Sequence, residues 1–351
     1  MPKFSSTGFC SGLCKWPAIG LAGLALSAIF LGAGPAAAAD ELDLSAQKNQ
    51  ALWVIELEND IVTNEDRYYT AGTSVSRIGH ASEAPGWLKS LAARMPGIEM
   101  DDNYPYRLSI NYNLYTPRDI ANPTPPPADR PYAAWLNVQF ATGTLSDSSA
   151  NRMHVGLGMT GPAVMGREVQ KAIHEVFGGD DPVGWNTQIR NEPTLQLGYD
   201  HLRHVWRHSG SGYLDADATL MGSLMLGNAY TNVTAGGYVR IGHDLPSGFG
   251  PPRITPAVSG TRYFMPADHA TWYVHLGTEG RRVFRDMFVQ GNTFGGISGA
   301  SRERLVGDTF AGLVYTRGPM RLSYTHTWRS HEFVGQQGRQ SFGSLSFALW
   351  W

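Results

Sequence analysis

The last nine residues, Gly343-Ser344-Leu345-Ser346-Phe347-Ala348-Leu349-Trp350-Trp351, restrict the fold more than any other segment. Leu345, Phe347, Leu349 and Trp351 fall on one side of an extended chain, and Ser344, Ser346 and Ala348 fall on the other. A period of two is the mark of a strand. Ending the chain on such a strand, with an aromatic residue, is typical of a barrel whose closing strand faces lipid. Arg321 to Trp328 repeats the habit: Leu322, Tyr324, His326 and Trp328 form one face, and Arg321, Ser323, Thr325 and Thr327 the other. A soluble β-sandwich can alternate in the same way, so the alternation alone leaves both open.

The start of the chain and its composition favour the membrane. Lys3 and Lys15 give a positive n-region ahead of a run of small and apolar residues from Ala18 to Gly34, and Ala37-Ala38-Ala39 precedes Asp40. This is the layout of a cleaved export signal over 1–39, with 40–351 as the mature domain. The run is short for a membrane anchor. Cys10 and Cys14 both lie inside the signal, which excludes disulfides, thiol catalysis and Cys-zinc sites from the mature chain. The formal charge of −2 becomes −4 without Lys3 and Lys15, because residues 1–39 hold no acid. That balance gives no reason to propose a nucleic acid partner. Forty-one glycines, ten tryptophans and fifteen tyrosines beside only 17% charged residues match an outer-membrane β-barrel.

Alternating segments are expected near 51–58, 69–79, 105–115, 133–144, 151–160, 192–201, 213–225, 229–241, 271–285, 303–316, 319–330 and 339–351. That is twelve, an even number, as a closed single-chain bacterial barrel requires. The fold class is therefore all-β: a twelve-stranded antiparallel transmembrane β-barrel with a helical insertion in one loop. The Gly- and Pro-rich stretch 242–270 is expected to be an irregular connection. Trp87 to Ala93 reads as a short amphipathic helix, packing as a lid or plug at the barrel mouth. If the mature N-terminus starts in the periplasm, loops 59–68, 116–132 and 161–191 all fall at the outward end. They are the loops richest in candidate chemistry.

Two of these loops carry the candidate site. Glu58-Asn59-Asp60 followed by Asp66-Arg67-Tyr68-Tyr69-Thr70-Ala71-Gly72 holds more polar groups than a hairpin turn needs. Asp60 can ligate a metal, Asn59 can bond a substrate, and Thr70 with the backbone around Gly72 can donate near a reacting carbonyl. Hard oxygen donors without cysteine suit calcium better than zinc. Asn59-Asp60 also reads as an Asx turn, and Asp66-Arg67 as a rim ion pair. In the third loop, Arg167 to Phe177 has helical spacing, with Val169, Ile173, Val176 and Phe177 as its apolar face and Gly178-Gly179 as its stop. Gln170 and His174, four apart, share a face beside that stripe. A histidine there can act as a general base toward water, and Gln170 can orient it. His201, His204 and His208 read as surface residues at the opposite end. No Gly-x-Ser-x-Gly elbow, phosphate loop or His-Glu-x-x-His helix is present.

Taken together and in order, these residues resemble the outer-membrane lipid A deacylase family (LpxR). The resemblance rests on Glu58-Asn59-Asp60, Asp66 to Gly72, Tyr115-Thr116-Pro117, Asp129-Arg130-Pro131-Tyr132-Ala133, Gln170 with His174, and Gly184-Trp185 with Gln188-Ile189. It implies a twelve-stranded barrel that removes the 3′-linked acyloxyacyl group of lipid A with calcium as cofactor. It implies that His174 is the base for water, and that Asn59, Asp60, Thr70 and Gln170 match the family's functional residues. Asp180 or Asp181 is the nearest match to an acidic residue after the histidine, which makes Asp60 and Asp180 the candidate calcium ligands. The family's loop lysine has no counterpart in Asp119-Ile120-Ala121-Asn122, so Arg118 or Arg130 would have to contact a substrate phosphate. The expected partners are lipopolysaccharide and the outer membrane, with the chain as a monomer. The alternatives are an outer-membrane phospholipase and a non-enzymatic barrel, a channel or adhesin.

Overall fold

The computed structural model describes residues 50–60, 67–99, 105–209, 214–246, 248–250, 253–254 and 262–351. Among the described residues, twelve antiparallel strands close into one barrel. They are β1 (Leu52–Asn59), β2 (Tyr68–His80), β3 (Pro105–Thr116), β4 (Ala133–Leu145), β5 (Ser149–Thr160), β6 (Glu192–His208), β7 (Asp215–Gly227), β8 (Tyr230–His243), β9 (Ala267–Asp286), β10 (Leu305–Gly318), β11 (Met320–Arg329) and β12 (Gln340–Trp350). Each strand pairs with its neighbours in sequence. β1 closes on β12, with Leu52 opposite Trp350 and Asn59 opposite Gly343. Closure leaves no strand edge, which is what a lipid-facing sheet requires.

The alternation has a physical sense. Along β1, Leu52, Val54, Glu56 and Glu58 are buried, while Trp53, Ile55 and Leu57 are exposed. The exposed apolar side continues through Val75, Ile110, Leu136, Leu157, Leu195, Val274, Leu313, Leu322 and Phe347. The inside is polar, and its charges are paired, as burial demands. Arg240 pairs with Asp217, Arg152 with Asp200, and Asp308 with Arg253, Arg281 and Arg329. Among the described residues no helix is long and apolar enough to cross a membrane; the strands are the spanning elements.

One expectation gains detail and two change. The connection after β8 is irregular, as expected, and its described parts fold back into the lumen. Arg253 pairs with Glu279 and Asp308, Arg262 pairs with Glu56 at 2.6 Å, and Ile254 N donates to Glu58 Oε1 at 3.1 Å. Tyr263 packs edge-on against Trp350, and Phe249, Ile254 and Phe264 are buried. Glycine and proline density suggested only irregularity, because a plug gains its stability from partners distant in sequence. By contrast, the helix after β2, α1 (Gly86–Ala92), neither plugs nor lids the barrel. Leu88 and Ala92 pack with Met153, Leu108, Phe140 and Val155 on the outer wall. Finally, β6 runs to His208, beyond the expected end at 201. His201 Nδ1 lies 2.7 Å from Asn151 Oδ1, and His204 stacks on Phe249 at 4.2 Å, so these two are structural rather than surface residues. His208 is exposed, as expected. The signal segment, both cysteines and Asp66 lie outside the described residues.

Candidate active site

The loop between β5 and β6 carries α2 (Gly166–Phe177), and α2 lies against the outside of the barrel wall. Val169 and Ile173 pack on Ala71, Leu114 and Ala134 together with Ile120, Tyr132, Val164 and Trp185. Ala71 and Leu114 are register partners on the outer face of β2 and β3. Val176, expected in the apolar stripe, is 74% exposed and takes no part; the side chain of Phe177 is outside the described set. Gly166 lets the helix sit close: a Cβ there would lie 2.5 Å from the Trp185 ring. Trp185 is held in turn by Tyr132, with ring centroids 5.0 Å apart. Ile189 N donates to Tyr132 O at 3.0 Å and Val183 N to Ile120 O at 3.1 Å, which staples the returning loop to the platform.

This platform orients Gln170 and His174. Gln170 is fully buried, and its Oε1 accepts from Trp185 Nε1 at 2.7 Å. Its amide nitrogen therefore faces His174 Nε2, at 3.5 Å. On the other side of the imidazole, Nδ1 lies 2.7 Å from the carbonyl oxygen of Asp180. A carbonyl only accepts, so Nδ1 carries the proton and donates it. The lone pair is left on Nε2, under an amide that can donate but is too distant for a strong bond. Gly178, at φ 85°, ends α2 in a conformation that favours glycine. Gly179 brings the chain back so tightly that a Cβ there would lie 2.9 Å from His174 Nδ1.

The second group sits at the top of β1 and β2. Asn59 continues the outward row of Trp53, Ile55 and Leu57, opposite Ala71. Asp60 is fully buried; its Oδ2 accepts from Arg67 N at 2.9 Å, and its own N–H reaches Thr70 O at 3.5 Å. Thr70 Oγ1 bonds Thr116 Oγ1 at 2.8 Å. An irregularity between Tyr69 and Ala71 takes Thr70 out of the ladder, beside Tyr68 at φ 70°. Such a φ is strained for an aromatic residue. It is held by the Tyr68 hydroxyl donating to Gln337 O at 3.0 Å and by an edge contact with Phe333 at 5.5 Å.

The structure thus joins Asn59, Asp60 and Thr70 into one group, and Gln170 and His174 into another. Ala71 is common to both: it follows Thr70, faces Asn59, and carries α2. Asp180 contributes its backbone carbonyl, and its side chain is on the exposed part of the loop. Two residues of the Glu58-to-Gly72 stretch belong elsewhere. Glu58 points into the lumen, where the Tyr69 hydroxyl donates to it at 2.8 Å. Gly72 makes room for that hydroxyl: a Cβ there would lie 2.0 Å from it. Arg130 is likewise buried, paired with Glu332 at 3.0 Å and set over Tyr115 at 4.8 Å. Arg118 is exposed, beside Gln337. The supporting residues that sequence reasoning did not assign are Trp185, Thr116 and Gly179. Each acts through distant contacts or backbone conformation; all three stand in stretches the sequence singled out (Tyr115-Thr116-Pro117, Gly178-Gly179 and Gly184-Trp185), but nothing there names their partners.

Among the described residues no three His, Cys, Asp or Glu side chains converge on a common metal position. A cation at Asp60 would draw its other donors from amide, hydroxyl, carbonyl and water oxygens. Such a set suits a hard ion by kind.

A family model described as "Outer membrane protein LpxR" matches residues 24–351. The chain belongs to the LpxR family of outer membrane proteins. Among solved structures, LpxR from Salmonella typhimurium is similar with a TM-score of 0.70 at 17% identity, over 85% of this chain and 99% of that one. The β domain of the Bordetella autotransporter BrkA aligns at 11% identity with a TM-score of 0.39, over 86% of this chain and 97% of that one. No curated protein sequence matches. The Salmonella likeness extends the LpxR fold, a closed twelve-stranded barrel, to this chain. Membership of the family carries with it the outer membrane as location.

Proposed function

We propose that this LpxR-family barrel is a calcium-dependent ester hydrolase that removes the 3′-linked acyloxyacyl chain of lipid A, with its site at the outer leaflet. The observation that carries the reading is the fixed imidazole of His174, with Nδ1–H on Asp180 O and the Nε2 lone pair beside the outer wall. That position is reached from the membrane side. Leu57, Val75, Ile110 and Leu136 form an exposed apolar surface on β1 to β4 below it. An acyl chain can lie there while its ester stays near Asn59 and His174, so the substrate need not leave the bilayer. A lumen entered by Arg253, Ile254 and Arg262 favours this lateral route over a channel function.

The chemistry follows from the groups present. His174 Nε2 takes a proton from water as the water oxygen attacks the ester carbonyl carbon. Nδ1–H stays on Asp180 O and steadies the imidazolium. Asn59 Nδ2 donates to the developing oxyanion, and the Thr70–Thr116 hydroxyl pair orients the water or the ester oxygen. The tetrahedral intermediate then expels the alkoxide, which recovers the proton from Nε2; the products are a carboxylic acid and an alcohol. Calcium, held by Asp60 with Asn59 and neighbouring oxygens, would supply positive charge at the ester carbonyl. The test is to offer purified protein lipid A and a glycerophospholipid together, with calcium or with chelator. Acyl loss from lipid A alone, abolished by chelator, is the expected result. Release from the phospholipid instead would move the substrate, and release indifferent to chelator would remove the metal.

A further inference from the structure

At the barrel end that carries Ala51 and Trp351, far along the strands from His174, the lumen contains a cavity of ≈ 40 Å³. Ile78, Arg107, Ala141, Gly143, Ala150 and Arg152 are among its walls. Register puts Ile78 beside Arg107, Arg107 beside Ala141, and Gly143 beside Arg152. The small side chains on β4 and β5 leave the room. The volume suits about three waters or one small anion, taking roughly 10–15 Å³ of such space for each water.

Arg107 is only 5% exposed. Its Nη2 donates to Gln139 Oε1, whereas Nε and Nη1 are buried with no hydrogen-bond partner. Guanidinium does not deprotonate in proteins, so burial cannot be relieved by losing the charge. The nearby carboxylates are paired with other arginines, although Glu56 Oε1 itself has no hydrogen-bond partner. Glu56 Oε2 accepts from Arg262 Nε at 2.6 Å, and Asp200 Oδ2 from Arg152 Nη2 at 2.6 Å. Arg321, also buried, bonds only the carbonyls of Arg262 and Tyr263. Among the described residues this end therefore holds the buried arginines Arg107, Arg240, Arg262 and Arg321 and the part-buried Arg152, against the buried carboxylates Glu56, Asp200 and Asp217. Waters can satisfy the open N–H groups of Arg107, but they cannot supply the missing negative charge.

We propose that this cavity is a binding site for a small oxyanion of phosphate size, free in solution, held by Arg107. The cavity is too small for a larger carboxylate-bearing metabolite. Its position inside the wall excludes a headgroup whose acyl chains remain in the bilayer. The site is independent of the esterase chemistry.

The probe is inorganic phosphate, followed by the ³¹P line width in detergent-solubilised protein at constant ionic strength. The expected result is broadening that scales with protein and is reversed by sulfate. Ala141→Leu fills the cavity and keeps the guanidinium; Arg107→Gln keeps the cavity and removes the charge. Each should weaken phosphate binding at least tenfold, while His174→Ala should bind as wild type does. Folding of each variant is checked by heat-modifiable migration, and Ala141→Leu serves alone if Arg107→Gln does not fold. No broadening with wild type, or undiminished broadening with folded Ala141→Leu, overturns the proposal. So does displacement of phosphate by a short-chain anionic phospholipid but not by sulfate, which would assign the site to a headgroup.

Discussion

Trp185→Phe tests the geometry of the base most sharply. Among the described residues the indole N–H tells the Gln170 amide which way to face, through its 2.7 Å bond to Oε1. Phenylalanine keeps an aromatic ring against Tyr132 and removes that donor. Gln170 is fully buried, so an orphaned carbonyl costs about 1–3 kcal/mol. Rotating the amide recovers the loss by turning Oε1 toward His174 Nε2. The imidazole must then carry its proton on Nε2, which sets a bare Nδ1 against Asp180 O, or it must leave its place. Either outcome withdraws the lone pair from water. We expect kcat to fall roughly tenfold to a hundredfold, about 1.4–2.7 kcal/mol of barrier, with KM little changed. Stability should drop by no more than about 3 kcal/mol. Gln170→Ala in the same background should add little, since the two residues act as one unit. Initial rates of acyl release, with the folded fraction measured in parallel, read the effect. Wild-type kcat in folded Trp185→Phe would refute the account of how His174 is oriented.

Further outcomes follow from the same contacts. Gly179→Ala would place a Cβ 2.9 Å from His174 Nδ1 at φ 147°; deacylation should fall at least tenfold while heat-modifiable migration is unchanged. Gly166→Val would drive into the Trp185 ring and lift α2, which proteolysis of the 161–191 loop should detect as faster cleavage with an intact barrel. Burial opposes ionisation of Glu332, but Arg130, Arg329 and Arg281 outweigh it and hold the carboxyl below its usual range. Its stabilising contribution is thus complete above the unfolded pKa of about 4.3 and is lost as pH falls through the lower folded value. Glu332→Gln should flatten that part of the acid unfolding curve measured by urea midpoint. Finally, reconstituted protein should show no stable single-channel conductance, and open pores of constant size would show that the lumen segment does not close the barrel.

Much of the fold was legible because a membrane barrel repeats one simple rule. Residues two apart share a solvent, so Leu345 and Phe347 announced lipid while Ser344 and Ser346 announced the lumen. The helix of 166–177 was equally local, set by spacing and by Gly178. What the sequence hid was long-range. Arg253, Arg262 and Ile254 look like loop residues until Glu56, Glu58 and Asp308 on distant strands are placed beside them. The Trp87 helix showed an apolar face, but whether that face meets the lumen or the outer wall depends on which strands it reaches. Within the site, Gln170 and His174 could be paired by their spacing, yet the Trp185 and Asp180 contacts that fix the tautomer depend on where the returning loop comes to rest. Glu58 and Gly72 show the reverse error: they sit within the most suggestive motif but serve the lumen, because a strand alternates faces and a motif does not.

The central claim is that His174 activates water against an acyl ester of lipid A. The most direct measurement is the mass of lipid A after incubation with wild-type protein and with His174→Ala, both folded and both with calcium. The account predicts loss of an acyloxyacyl group with wild type and full-length lipid A with His174→Ala. Equal loss with both proteins, or no loss with either, would contradict it.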